Sequence, residues 1–364
     1  MKKTVVVGMS GGVDSSVAAL LLKEQGFNVI GVTMQIWQDA EACTLEREGG
    51  CCGVSAVEDA RRVADVLGIP YYVMNFKDIF REKVIDYFVR EYLSARTPNP
   101  CIACNRFVKW EALLERAMDI GADYIATGHY AKVGRRENGR LAVRNSVTAE
   151  KDQTYALYNL TQAQLARTLL PVGDYTKPEI RNMAERAGLP VAGKRDSQEI
   201  CFVPDGDYAA FIRRESGAES PPGNFVTADG KVLGRHRGLI HYTVGQRRGL
   251  DLPMGRRVFV TELRPETNEV VVGEQDDVYS SVVTASSLNL MGIADFEPGG
   301  KQTFLGKIRY NHKGTPCTVT RTGEDEIRCF FREPVRAVTP GQALVLYTDD
   351  GCVAGGGVIK KSEG

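Results

Sequence analysis

The string Thr-Val-Val-Val-Gly-Met-Ser-Gly-Gly-Val-Asp-Ser-Ser, residues 4–16, restricts the possible folds more than any other stretch of this chain. Val5–Gly8 reads as a short buried strand, and Ser16–Gln25 as a helix that stops at Gly26. A Gly/Ser-rich turn between a strand and a helix belongs at the carboxyl edge of an open parallel sheet, where ligands bind. Gly11 and Gly12 allow a sharp bend that brings backbone N–H groups close to an anion. The helix start adds free donors and the positive end of its dipole, and Ser10, Ser15 and Ser16 add hydroxyls. Together these suit a phosphate or pyrophosphate. A glycine turn capped by Asp14 or Ser15 would explain the glycines, but not the whole string in this setting. The pattern is neither Gly-x-Gly-x-x-Gly nor a Walker loop, because no Gly-Lys-Ser/Thr follows.

The remainder of the first 200 residues repeats the strand–helix alternation. Strands are expected at Asn28–Met34, Tyr71–Asn75 and Asp123–Thr127, with helices near Val57–Leu67, Ile79–Leu93 and Val108–Asp119. Repeated βαβ units imply a parallel sheet covered on both faces. Thr176–Glu179 carries a capping box with an early proline, which starts one more helix. After about residue 205 short alternating runs such as RVFVTEL, EVVVG and CTVTRTG take over, the pattern of small sheets or a barrel. The expected division is 1–205, an α/β parallel-sheet domain; 206–280, a small, mainly β central domain; and 281–364, an all-β barrel-like domain.

A chain of 364 residues supports two or three such units. Lysine plus arginine and aspartate plus glutamate both number 46, so net charge gives no hint of nucleic acid, though balance can conceal local patches. One such patch is residues 235–257, where Arg235, Arg237, Arg247, Arg248, Arg256 and Arg257 face a single acid, Asp251. With Tyr242 among them, they could follow an RNA backbone or be an ordinary solvated face. No apolar run is long enough to span a membrane and no signal-peptide pattern is present, so a soluble, cytoplasmic protein without a membrane partner is expected.

Nine cysteines, an odd number, do not look like a disulfide scaffold. Cys101 and Cys104 form a Cys-x-x-Cys beside Pro-Asn-Pro, in what reads as a loop just before a helix; Arg106 and Lys109 are close by. A helix start and basic neighbours favour a thiolate. Cys201 lies in a second loop-like motif. Cys43, Cys51 and Cys52 fit a loop or core role, and Cys317, Cys329 and Cys352 an ordinary core role.

The phosphate string resembles that of the ATP pyrophosphatase (PP-loop) superfamily, whose members split ATP between its α and β phosphates. With the cysteines added, the chain resembles the bacterial tRNA-specific 2-thiouridylase family over nearly its whole length. The likeness is carried by GMSGGVDSSVAA, CCGVSAVEDARRVADVLGIP, TPNPCIACNRFVKW, YIATGHYA, KDQTYAL, DSQEICFVPDGDY, HYTVGQRRGL, KIRYNH and VTPGQALVLY. It implies a PP-loop domain, a central domain and a β-barrel. It implies that Gly8, Met9, Ser10, Gly11, Gly12, Val13, Asp14 and Ser15, with Met34 and Gly128, hold ATP and that magnesium accompanies the phosphates. Cys104 matches the nucleophile and Cys201 the persulfide carrier. Asn99, Pro100 and Cys101 match the segment beside the target base. His129, Lys151, Asp152, Gln153, Arg309, Tyr310 and Gln342 match positions that touch tRNA. The implied reaction is 2-thiolation of the wobble uridine of tRNA for Lys, Glu and Gln, with sulfur from a cysteine desulfurase or a relay protein.

The chain departs from the family at Cys101, where many members have Asp. A thiol and a carboxylate differ by more than four units in reference pKa, near 8.5 against about 3.9, so the roles are not interchangeable. Cys101, Cys104 and Cys201 could instead give three thiolates to an iron–sulfur (4Fe–4S) cluster that delivers sulfide. Both routes remain open at this point. Two other functions compete: a different enzyme of the superfamily, such as an amidotransferase-type synthetase or a tRNA lysidine synthetase, and a non-catalytic RNA- or metal-binding protein.

Overall fold

The computed structural model describes residues 2–36, 54–195 and 200–363. Cys43, Cys51 and Cys52 lie outside these residues. The valines of β1 (Thr4–Gly8) are wholly buried. Val5 and Val7 face one apolar cluster and Val6 the other, so β1 is covered on both sides. Each contributes roughly 1.5–3 kcal/mol by leaving water. Beside β1 lie β2 (Asn28–Gln35) and β3 (Tyr71–Asn75) on one side, and β4 (Tyr124–Ala126) on the other. The hairpin β5 (Ala131–Arg135) and β6 (Leu141–Asn145) follows, then β7 (Thr168–Leu169), which closes the sheet in the order β3-β2-β1-β4-β7, all parallel. The chain departs from β1 in opposite directions, so the gap between β1 and β4 is the switch point where such sheets take ligands.

Helices α1 (Val13–Glu24) and α2 (Val54–Leu67) cover one face. Helix α1 starts three residues earlier than expected. Neither Asp14 nor Ser15 caps it; Gly12 is the N-cap, with extended backbone, and the Ser15 and Ser16 hydroxyls donate back to its carbonyl. On the other face α3 (Lys77–Phe80), a π-helical turn (Arg81–Ile85) and α4 (Asp86–Leu93) run on without a break.

A second correction concerns the Cys-x-x-Cys. It is helical: α5 (Pro100–Ala103) passes into a π-helical stretch (Cys104–Leu113) and then α6 (Leu114–Asp119). The start signal is Asn99-Pro100. The Asn99 side chain accepts from the N–H groups of Cys101 and Ile102, and Pro100 sits where no N–H is needed. Helices α7 (Gln162–Leu165) and α8 (Lys177–Arg186) follow, each with a capping box, the second being the one expected at Thr176–Glu179.

Beyond the sheet, helix α9 (Tyr208–Ser216) precedes β8 (Gly223–Val226), β9 (Val232–His236), β10 (Phe259–Arg264) and β11 (Glu269–Gly273). These strands form one sheet, β10-β11-β8-β9, over a small core that includes Phe225 and Tyr242. Tyr242 is buried with its ring edge-on to Phe225 and His236, so it is core and not a platform for bases. The six arginines around it are exposed, with Arg256 paired to Glu274. Finally β12 (Tyr279–Asn289), β13 (Lys301–Lys307), β14 (Thr315–Gly323), β15 (Glu326–Arg336), β16 (Ala343–Tyr347) and β17 (Val353–Glu363) close a barrel, β12-β15-β14-β13-β16-β17. Closure removes exposed sheet edges. Cys317, Cys329 and Cys352 are buried, as expected.

Candidate functional site

The glycine-rich turn, the candidate phosphate loop, lies between the ends of β1 and β4. Ser15 closes it: its hydroxyl accepts from the Ser10 N–H at 3.2 Å and lies 3.3 Å from the Ser10 hydroxyl. Gly11 has φ +69°, and a Cβ there would come within 2.3 Å of the Ala56 carbonyl oxygen. Gly128, just past β4, lies against the first turn of α1; a Cβ there would sit 2.5 Å from the Ser15 nitrogen. The space beside Gly12 is open apart from the Ser10 hydroxyl, and Met34 lies beside Gly8. The candidate nucleotide residues Gly8–Ser15, Met34 and Gly128 therefore meet at the switch point. Gly11 and Gly128 let backbone pack directly on Ala56 and on the start of α1, and Gly12 leaves the mouth of the candidate cradle open.

Two lysines that were not singled out in the sequence supply positive charge to this cradle. Lys177, at the start of α8, donates to both Asp14 carboxylate oxygens at 2.7 and 2.9 Å. Lys194 donates to the Gly11 carbonyl at 3.1 Å and to Asp59 at 2.7 Å. Tyr130, also not singled out, donates its phenol proton to Asp14 at 2.8 Å. The motif Thr-Lys-Pro-Glu signals a helix cap and nothing about Asp14, 163 residues away. An open helix start, hydroxyls and lysines fit a polyphosphate, and Asp14 fits a magnesium ion riding with it.

The helix that begins at Pro100 links this cradle to the cysteines. Leu113 lies beside Gly8. Cys104 is nine residues earlier, at the start of the same π-helical stretch. Cys101 is exposed, while Cys104 and Cys201 are half-buried against one apolar cluster. Cys201 is anchored by its neighbour Phe202, whose ring packs on Phe80, Phe88 and Phe211. Among the described residues no three His, Cys, Asp or Glu side chains come together as a metal-holding group. As arranged, Cys101, Cys104 and Cys201 therefore do not fit a cluster that needs three thiolates at once.

Between cradle and cysteines, the His129 ring packs on Trp110 and its Nδ1 is 2.7 Å from the Thr127 hydroxyl. Burial, reinforced by the Lys109 ammonium, pushes its pKa well below the usual value, so the imidazole is neutral. Asp152 accepts from the Ser146 and Thr154 N–H groups, and Gln153 exchanges two hydrogen bonds with the Tyr130 backbone. Lys151 ends the short turn before them. The half-exposed Tyr310 ring lies edge-on to Tyr155; partial burial, then the nearby Asp152 carboxylate and Cys101, raises its phenol pKa.

Arg309 and Gln342 line a cavity of about 360 Å³ with Thr97, Thr243, Arg336 and Thr339, where all three parts of the chain meet. Burial and the adjacent Arg336 guanidinium lower the Arg309 pKa from its ordinary value. Thr97 leads directly into Asn99, Pro100 and Cys101, so this cavity adjoins the cysteine turn. No helix among the described residues is long and apolar enough to cross a membrane.

The chain matches three family models in order: the tRNA methyl transferase HUP domain over residues 3–205, the tRNA methyl transferase PRC-barrel domain over 209–274 and the aminomethyltransferase beta-barrel domain over 281–359. It is similar to proteins named tRNA-specific 2-thiouridylase MnmA. The one from Lachnoclostridium phytofermentans is 62% identical over 98% of this chain and all of its own length. That from Acetivibrio thermocellus is 54% identical over 99% of each chain. That from Clostridioides difficile is 52% identical over the whole of this chain and 99% of its own.

Proposed function

The chain belongs to the tRNA-specific 2-thiouridylase family, and from that premise we propose that it replaces O2 of the wobble uridine (U34) in tRNA for Lys, Glu and Gln by sulfur, at the expense of ATP. Residues 1–205 would carry the chemistry, with 206–280 and 281–364 gripping the RNA. The observation that carries this reading is one continuous helix. Its first turn holds Cys101 and Cys104, and its Leu113 lies beside Gly8 of the phosphate cradle.

ATP would lie with its phosphates on residues 8–15 at the start of α1, and its nucleoside against Met34 and Gly128. Magnesium at Asp14 would offset phosphate charge. Uridine O2 attacks the α-phosphorus and pyrophosphate leaves. The terminal sulfur of a Cys201 persulfide attacks C2, and AMP departs with the oxygen. The Cys104 thiolate then attacks the Cys201 sulfur; the new Cys104–Cys201 disulfide releases the sulfur to the base, and a thiol reductant resets the pair. A cysteine desulfurase or a relay protein would recharge Cys201.

This route needs two thiols, those of Cys104 and Cys201, which pack against the same apolar cluster. Asn99, Pro100 and Cys101 would lie along the target base. His129, Lys151, Asp152, Gln153, Arg309, Tyr310 and Gln342 would meet the surrounding RNA. In this reading neutral His129 offers a hydrogen bond and no charge.

Replacing Cys104, Cys201 or Cys101 singly by Ser, then measuring 2-thiouridine in tRNA by mass spectrometry and pyrophosphate release in parallel, tests it. Loss of thiolation in Cys104→Ser and Cys201→Ser, with pyrophosphate release from the adenylation step retained, is expected. Full thiolation in Cys201→Ser would overturn the persulfide route. So would stoichiometric iron and visible absorbance in anaerobically purified protein, with Cys101→Ser as inactive as the other two.

A further inference from the structure

Tyr130 stands between the two halves of the site. Its phenol reaches Asp14 in the phosphate cradle, and its backbone is clamped to Gln153 in both directions. The Tyr130 N–H donates to the Gln153 side-chain oxygen at 2.9 Å, and the Gln153 N–H donates to the Tyr130 carbonyl at 2.9 Å. The phenol donates to Asp14 Oδ1 at 2.8 Å, and the Lys177 ammonium completes the set on the same carboxylate. The ring is 2% exposed, so it has little freedom to give up these partners separately. Asp152, next to Gln153, is in turn fixed by the Ser146 and Thr154 N–H groups.

We propose that Tyr130 is a positioning residue through which the 151–153 segment sets the Asp14 carboxylate, so that seating RNA on that segment orders the phosphate loop for ATP. The physical need is specific. Asp14 is a negative group inside a site built for phosphates, and its direction decides whether it repels the nucleotide or holds the accompanying cation. Lys177 supplies the counter-charge, and Tyr130 supplies the direction. Tyr130 touches neither substrate and acts through Asp14. The inference rests on the reading that ATP occupies residues 8–15 and that RNA meets residues 151–153.

The test is Tyr130→Phe, which keeps the ring and removes one oxygen. Losing a hydrogen bond to a charged partner is expected to raise the ATP KM roughly ten-fold or more, with tRNA affinity unchanged. On an Asp14→Asn background the same substitution is expected to cost far less, because the two act as a unit. Hydrogen–deuterium exchange gives a readout without turnover: tRNA alone should slow exchange in residues 9–16 of the parent protein, and not in Tyr130→Phe. An unchanged KM, equal costs on both backgrounds, or no effect of tRNA on exchange in the parent would each overturn the inference. Failure of the parent protein to release AMP with tRNA would instead sink the underlying functional reading.

Discussion

The side-chain amide of Gln342 donates to the carbonyl of Thr97 at 2.9 Å, across 245 residues of sequence. The Thr97 N–H answers by donating to the Pro340 carbonyl at 2.8 Å, and Gly341 comes so close that a Cβ would lie 3.0 Å from the Thr97 nitrogen. The loop before β16 of the barrel is thus fastened to the residues that lead into Asn99 and the cysteine turn. The barrel helps hold the segment proposed to lie along the target base.

Gln342→Ala removes one neutral hydrogen bond from that fastening, worth about 1 kcal/mol. The tRNA KM is expected to rise about five-fold, with the ATP KM unchanged and Tm little altered. Steady-state kinetics with each substrate varied in turn checks this; an equal rise in both KM values would contradict it.

Asn99 caps the helix that carries Cys101 and Cys104. Asn99→Ala is expected to destabilise the protein by about 0.5–2 kcal/mol and to slow thiolation more than AMP release. Asn99→Asp, which retains an acceptor, should restore most of the stability. Urea unfolding of the three proteins reads the first effect, and single-turnover thiolation the second.

At Gly128 the first turn of α1 leaves no room for a methyl group, the nearest backbone atom being 2.5 Å from where it would sit. Gly128→Ala must push the phosphate loop away from β4. Overpacking of this kind costs about 1–3 kcal/mol, and ATP affinity should fall at least ten-fold. Isothermal titration with a non-hydrolysable ATP analogue measures it; wild-type affinity would show that the cradle is not the nucleotide site.

The His312 Nδ1 accepts from the Ile308 N–H at 3.4 Å, and burial with Arg309 and Lys307 nearby lowers its pKa from 6.5 to about 4. His129 is shifted in the same direction. A folded-state pKa below the unfolded one means that the unfolded chain takes up the proton first as pH falls. Stability is therefore complete above about pH 6.5 and is lost between there and about pH 4. Urea midpoints should drop from about pH 7.5 to about pH 5, and His312→Gln should flatten part of that slope.

Much of this site was legible because its signals are local. Glycine spacing, a strand leading into a helix, and Cys-x-x-Cys are properties of a few adjacent residues, and they pointed to the candidate cradle and the candidate nucleophile. Local signals compete at one place and are overridden by a remote element at another. Asn99-Pro100 is a helix start, yet the prolines around it read as loop. Tyr242 among arginines looked like an RNA contact because its burial against Phe225 depends on a strand elsewhere in the chain.

The sequence by itself determined the parallel α/β start, the β-rich remainder and the glycine-rich turn between β1 and α1, because backbone conformation and burial period are set over a few residues. Only the tertiary structure decided that Lys177 and Tyr130 share Asp14, that Lys194 reaches Gly11, and that Gln342 holds Thr97. Those pairings depend on where remote elements come to rest after packing. A lysine or tyrosine carries the same local signature whether it faces solvent or a carboxylate more than a hundred residues away.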